Sequence, residues 1–251
     1  RVLRLFQDLD QCRLVEFLGN RVAEYGQGSG VALSFSGGTT VTDCEFRENG
    51  EINTVGGGLH VSSSTITVTG TDFVDNFAGS SGGLHFAYAT TSVVDGCAFV
   101  RNIGLWSAAG AVQCFSGASP TLTNCTFVEN SKHQIWCDTA SPTLEYCIIA
   151  FSPTGLGVYC ETGTENPSIN HCFVFGNALG DSLCGDSYHD NEFIDPCFCA
   201  FESGDVSLCA DSPCLPGVTW TTLVGSEGQG CAACGSAVED RTWGAIKAMY
   251  R

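Results

Sequence analysis

Cys97-Ala98-Phe99-Val100-Arg101-Asn102 has near-copies along the chain: Cys44-Glu45-Phe46-Arg47-Glu48-Asn49, Thr71-Asp72-Phe73-Val74-Asp75-Asn76 and Cys125-Thr126-Phe127-Val128-Glu129-Asn130. Their phenylalanines fall 27, 26 and 28 residues apart. A period of this size marks a solenoid or array, in which one unit cannot bury an apolar face alone and stacked units share a continuous core. A degraded copy, Phe17-Leu18-Gly19-Asn20, precedes them. Cys147-Ile148-Ile149 and Cys172-Phe173-Val174, followed by Asn177, continue the series more loosely.

From residue 31 each unit carries two short strands that align column by column. In the first strand Val31, Leu59, Leu84, Val112, Ile135 and Val158 share one column, and Leu33, Val61, Phe86, Cys114, Cys137 and Cys160 the next but one. Alternation with period two turns both columns to one side and sends Ala32, His60, His85, Gln113, Trp136 and Tyr159 to the other. The second strand adds Val41, Val68, Val94, Leu122, Leu144 and Ile169, three residues before Cys44, Thr71, Cys97, Cys125, Cys147 and Cys172. Glycine joints (Gly56-Gly57-Gly58, Gly82-Gly83, Gly110) precede the first strand, where a tight corner calls for freedom in φ. Units rich in Thr, Ser, Val, Gly and Phe, with no 3.6-residue period, argue against a helical repeat. The pattern specifies an all-β chain, a single-stranded parallel β-helix of about seven coils, roughly 30–35 Å long at the strand spacing.

Residues 1–180 hold the repeats. Residues 181–236 depart from them and are expected to form a closing coil and loops stapled by disulfides among Cys184, Cys197, Cys199, Cys209, Cys214, Cys231 and Cys234. Residues 237–251 form a tail suited to a short helix capping the last coil. The formal charge of -17, from 27 acidic against 10 basic residues, repels phosphate backbones and anionic headgroups and argues against a nucleic-acid partner. Sixteen cysteines point to an oxidising, extracellular setting. No apolar run of 18 residues exists to span a bilayer, and residues 1–11 lack the apolar core of a signal peptide, so the chain reads as a trimmed, secreted product.

The Gly-Gly-Leu-His, Cys-x-Phe-x-x-Asn and Ser-Pro-Thr-Leu-x-x-Cys units resemble the right-handed parallel β-helix repeats of the pectin-lyase-like superfamily. In particular they resemble the GG and FxxN repeats of polymorphic outer-membrane and autotransporter-type surface proteins, over roughly residues 12–180. Phe193-Ile194-Asp195-Pro196-Cys197-Phe198 and the segment from Gly204 to Gly217 are similar to the closing segment after such repeats in secreted bacterial proteins. The resemblance implies a right-handed coil. It also implies that the outward face of the first strand is where enzymes of this superfamily form a saccharide groove.

Asn20, Asn49, Asn76, Asn102, Asn130 and Asn177 recur at one corner, where stacked amides bond to one another and to backbone groups that lack ladder partners. Cysteines of the two core columns are expected to pack as buried thiols, since parallel stacked Cβ vectors are poorly aimed for a disulfide. Cys231-Ala232-Ala233-Cys234 is a lone CxxC and a weak zinc signal. Glu45, Glu48, Asp72, Asp75 and Glu129 line one side, where spaced surface acids form a solvated face more often than a calcium site. Asn124-Cys125-Thr126 matches a glycosylation sequon. His60, His85, Gln113, Trp136 and Tyr159 form an outward strip that suits either a glycan platform or plain cover for a sheet face. Lyase chemistry needs an acidic calcium cluster and an arginine base on that face, and hydrolase chemistry needs clustered aspartates there; the strip has none of these. The expectation is a secreted, non-catalytic structural or adhesive protein, self-associating through open β-helix ends into filaments. The alternative is a carbohydrate-binding module, lyase or hydrolase using the strip.

Overall fold

A computed structural model describes residues 3–5, 11–21, 26–35, 37–88, 91–106, 109–186 and 188–234. Three long parallel sheets wrap one core, and a short parallel sheet of Gly50–Glu51, Phe77–Ala78 and Ile103–Gly104 lies in the turn from the third sheet back to the first. Sheet A joins Leu3–Leu5, Val31–Ser34, Leu59–Ser62, Leu84–Ala87, Ala109–Phe115, His133–Asp138 and Val158–Cys160. Sheet B joins Gln11–Arg13, Gly37–Thr42, Thr65–Thr69, Val93–Asp95, Thr121–Thr123, Thr143–Glu145, Ser168–Asn170 and Tyr188–His189. Sheet C joins Glu16–Leu18, Glu45–Arg47, Asp72–Val74, Ala98–Val100, Thr126–Val128, Ile148–Ala150 and Phe173–Phe175.

Every expected column is in register. Leu59 sits between Val31 and Leu84, Val68 between Val41 and Val94, and Phe73 between Phe46 and Phe99. Phe17, Phe46, Phe73, Phe99 and Phe127 stack face to face with centroids 4.6–4.9 Å apart. Sheet B has eight rungs, one more than the repeats show, because Tyr188–His189 pairs with Ile169–Asn170 beyond residue 180. That rung is two residues long and carries no phenylalanine or asparagine signature.

Each coil turns through residues in the left-handed region. One such corner follows sheet B (Asp43, Gly70, Gly96, Asn124, Tyr146, His171), another follows sheet C (Glu48, Asp75, Arg101, Glu129, Phe151), and a third follows sheet A (Phe35, Ser63, Tyr88, Ser116, Thr139). Most of these residues carry a Cβ, and the conformation costs each roughly 1–2 kcal/mol, which the flanking ladders offset. At the glycine joints the expected φ freedom is used at Gly56, with φ +71, while the glycines that follow answer a different need. A Cβ on Gly58 would meet Gly83 O at 2.8 Å, and one on Gly83 would meet Ala111 O at 2.6 Å. The backbone there stacks too closely for any side chain.

Spacing between sheets is unequal. Val41 to Phe46, Val94 to Phe99 and Leu144 to Ile149 are each five residues, so the turn from sheet B to sheet C never changes length. The return from sheet C to sheet A takes ten residues from Asn49 to Leu59, eight from Asn76 to Leu84 and five from Asn130 to Ile135.

Residues 197–231 do not close the end of the stack as expected. They lie against its side. Phe198–Ala200, Asp205–Cys209 and Gln229–Cys231 form a small sheet with a one-turn helix at Phe201–Ser203. Phe198, Phe201, Val206, Leu208 and Val224 pack with Val100, Val128, Ile148, Ala150 and Phe173 on the outer face of sheet C. The helix expected within 237–251 falls outside the described residues.

Candidate functional site

The outward file of sheet A forms as expected, with His60 paired to His85, His85 to Gln113, Gln113 to Trp136 and Trp136 to Tyr159. Of the two roles it suits, glycan platform or plain cover, its burial favours cover. His60 is 1% exposed, His85 and Gln113 5% and Trp136 7%, so only Tyr159 stays half-open, with His133 stacked on it at 4.3 Å. Flat side chains one rung apart leave no room for water between them; the imidazoles of His60 and His85 stack at 4.9 Å. The strip is therefore a covered sheet face and not an open platform.

Three polar atoms in this file, His60 Nε2, Gln113 Oε1 and Trp136 Nε1, are buried without a hydrogen-bond partner among the described residues. His60 Nδ1 and His85 Nδ1 are 3.0 Å apart, so one imidazole donates and the other accepts, and both rings are neutral. Burial lowers His60 to about 4; burial, with His60 beside it, lowers His85 to about 3.

The asparagine ladder is continuous from Asn20 to Asn130. Each Nδ2 donates to the Oδ1 one coil on, at 2.8 Å from Asn20 to Asn49, 3.0 Å to Asn76, 2.9 Å to Asn102 and 2.9 Å to Asn130. Backbone N–H groups of Asn49, Asn76 and Asn102 donate to the same oxygens, and the Nδ2 atoms also reach Phe17 O, Phe46 O and Phe73 O. At Asn130 the amide turns to Gln134 Oε1, and Asn177 forms a separate group with Ser152 N and Asp181. These residues pin a corner, as their recurrence implies.

Sequence reading missed the cleft between sheet C and the side cover. Arg47, Asp72, Val100 and Arg101 line one wall of a cavity of about 260 Å³, and Gly204, Asp205 and Glu227 the other. Arg101 holds Asp75 through Nε at 2.9 Å and Nη2 at 3.0 Å, leaving Nη1 buried without a partner. Asp72 is open to solvent on one side, yet its carboxyl is pushed up to about 6, first by the protein packed around it and then by Glu227 and Glu45, with Arg47 opposing. A signal for the cover was present. Residues flanking the inward position of each sheet C strand change from Glu45/Arg47 to Ala98/Val100, Thr126/Val128 and Phe173/Phe175, which a solvated face would not require.

A family model for the right-handed β-helix region matches residues 29–195. The chain belongs to the right-handed β-helix family. No curated protein and no solved structure matches it. Because this fold serves enzymes and non-enzymes alike, any activity of this β-helix must be argued from its side chains.

Cysteine use in the β-helix divides differently from expectation. Disulfides join Cys160 to Cys184, Cys199 to Cys231 and Cys209 to Cys234. Cys160 thus leaves its column to staple the last coils. Cys214 is instead a buried thiol, and Cys197 donates its thiol to Asp195 O at 3.5 Å. The two cysteines of the CxxC sit in different bridges, which removes both as zinc thiolates. Column thiols have a role beyond filling space: Cys97, Cys125, Cys147 and Cys172 donate to the carbonyl two residues earlier at 3.1–3.4 Å. Thr71 does the same at 2.9 Å, which explains a threonine in a cysteine column. Burial drives Cys137 up to about 12 and Cys114 well above the ordinary thiol range.

The acids expected along one side split. Glu45 accepts from Arg47 Nε at 2.6 Å and Asp75 is held by Arg101, while Glu48, Asp75 and Glu129 stand at a corner and Glu45 and Asp72 on a sheet. Among the described residues the one group placed close enough to share an ion is Cys199, Cys209 and Cys231, all in disulfides. The sequon at Asn124 serves structure: Asn124 Nδ2 donates to Asp95 at 3.0 Å, and Thr126 is buried, accepting from Ser226 N at 2.9 Å.

Proposed function

We propose that this β-helix is a secreted, non-catalytic structural or adhesive element that associates end to end. The observation that carries the reading is the closure of the His60 to Trp136 file. Side chains on the face where a saccharide groove would open are buried, and the repeat is devoted to internal phenylalanine, asparagine and thiol ladders. Three disulfides suit an oxidising compartment outside the cytosol. Among the described residues Leu3–Leu5, Gln11–Arg13 and Glu16–Leu18 are the outermost strands of their sheets at one end, and such sheet edges invite pairing.

Light scattering and electron microscopy over a wide concentration range test this. Rods that lengthen with concentration are expected. A particle that stays monomeric throughout, or one that cleaves a polysaccharide, would remove the reading. A carbohydrate module on the same face predicts retention on a polysaccharide that Trp136→Ala and Tyr159→Ala abolish; the burial of Trp136 favours no retention.

A further inference from the structure

The outer face of sheet B is the one broad sheet face without cover among the described residues. Its inward file, Val41, Val68, Val94, Leu122, Leu144 and Ile169, is buried and holds the strands rigid. Outward, Thr40, Thr67, Val93, Thr121, Thr143 and Ser168 lie in register one rung apart. A second file, Thr42, Thr69, Asp95, Thr123, Glu145 and Asn170, runs two residues along. The two files form a grid with spacings of about 4.8 Å across strands and about 6.6 Å along them.

Within the first file the side chains are uncharged in a chain of net charge -17. Four of its six members are threonine. Val93, 42% exposed, has the shape of threonine with a methyl in place of the hydroxyl, so the contour of the file is unbroken. β-Branching restricts χ1, which aligns the hydroxyls and methyls from rung to rung. In the second file Thr69 donates to Thr42 at 3.1 Å and Thr123 to Asp95 at 2.6 Å. No hydrogen bond within the described residues takes up the hydroxyls of Thr40, Thr67, Thr121 or Thr143, which are left to water.

We propose that this face binds ice. A rigid two-dimensional repeat of weak donors and acceptors gains little from a mobile or one-dimensional ligand. It gains from every rung when the ligand is itself periodic in both directions, because the contacts then add without further ordering cost. The first file offers no counter-charge to a charged partner, and Asp95 and Glu145 in the second file repel an anionic one. Neither file carries a Phe, Tyr or Trp to stack on a sugar; the one ring in register with them is the imidazole of His189, beside Asn170 at the end of the second file. The surface planes of hexagonal ice present neutral oxygens at repeats comparable to both spacings of the grid.

Partition of the whole chain into slowly grown ice tests this, with an unrelated protein of equal size as the baseline. Several-fold enrichment over baseline is expected. Thr67→Lys with Thr121→Lys should return it to baseline, and Val93→Thr, which completes the file, should raise it. Thr67→Val, which removes one hydroxyl at constant shape, serves where the double variant does not fold and should lower enrichment. Absence of enrichment, enrichment that survives the double lysine variant in folded protein, or depletion onto crystalline cellulose or chitin without incorporation into ice would each overturn the proposal.

Discussion

Replacing Asn76 by alanine isolates what one rung of the asparagine ladder contributes. Asn76 takes part in four side-chain bonds: Nδ2 donates to Phe46 O at 2.7 Å and to Asn102 Oδ1 at 2.9 Å, and Oδ1 accepts from Asn49 N and Nδ2, both at 3.0 Å. Not all four partners are orphaned. Asn49 Nδ2 keeps Phe17 O at 2.6 Å, and Asn102 Oδ1 keeps the Asn76 backbone N–H at 3.1 Å. The Asn49 N–H loses its acceptor in a fully buried corner, which costs about 1–3 kcal/mol, and the lost partial bonds and small cavity add about 1–2 kcal/mol. The expected loss is therefore about 2–5 kcal/mol in urea unfolding, together with faster hydrogen exchange at the Asn49 amide, while the Asn102 amide, still held by Asn130 Oδ1 at 2.8 Å, keeps its rate. The repeat-by-repeat architecture makes that local readout meaningful, since each coil leans chiefly on its neighbours. A variant within about 0.5 kcal/mol of the parent, with Asn49 protection unchanged, would show that the ladder follows from the backbone and does not support it.

The His60–His85 pair makes stability depend on acid. Unfolded, each histidine binds a proton near 6.5; folded, the two resist until about 4 and about 3. Stability is fully present above 6.5 and declines as pH falls below it, by an upper bound on the order of 3 to 5 kcal/mol per site at the bottom of that window. Urea midpoints measured from pH 7 to 4 should fall more steeply for the parent than for His60→Gln/His85→Gln, and equal slopes would refute the assignment. Thiol chemistry gives a third check. Cys97, Cys114, Cys125, Cys137, Cys147, Cys172 and Cys214 should stay unmodified by iodoacetamide in native buffer and react on unfolding, and rapid native labelling at Cys137 would contradict its burial.

Period and alternation make the three sheets legible in the amino-acid sequence, because each inward position repeats with like side chains and a one-residue slip would turn Leu59 or Val68 outward. The same logic locates Asn49, Asn76 and Asn102 at one corner. It fails where function is sought. Alternation says that His60 and Trp136 face away from the core, but it carries no information on what lies above them. Left-handed corners are hidden as well, since Tyr88, Arg101 and Phe151 adopt a conformation usually signalled by glycine or asparagine. The side cover escapes a motif search because its signal is the polar-to-apolar drift along the outer face of sheet C, a trend across coils and not a pattern within one. Cys160 shares a column with Cys114 and Cys137, and only the approach of the non-repeating Cys184 distinguishes it.

The unequal turns give the prism one permissive edge. Between sheets B and C the chain has a fixed stride, and an added residue there would displace a left-handed corner and rotate the phenylalanine stack out of line. Between sheets C and A the chain already spans the same gap with five residues after Asn130 and with ten after Asn49. That edge is where evolution could lengthen loops without disturbing the core. It is also the place to graft a peptide or tag: several residues inserted after Asn130 only reproduce a detour the chain makes elsewhere.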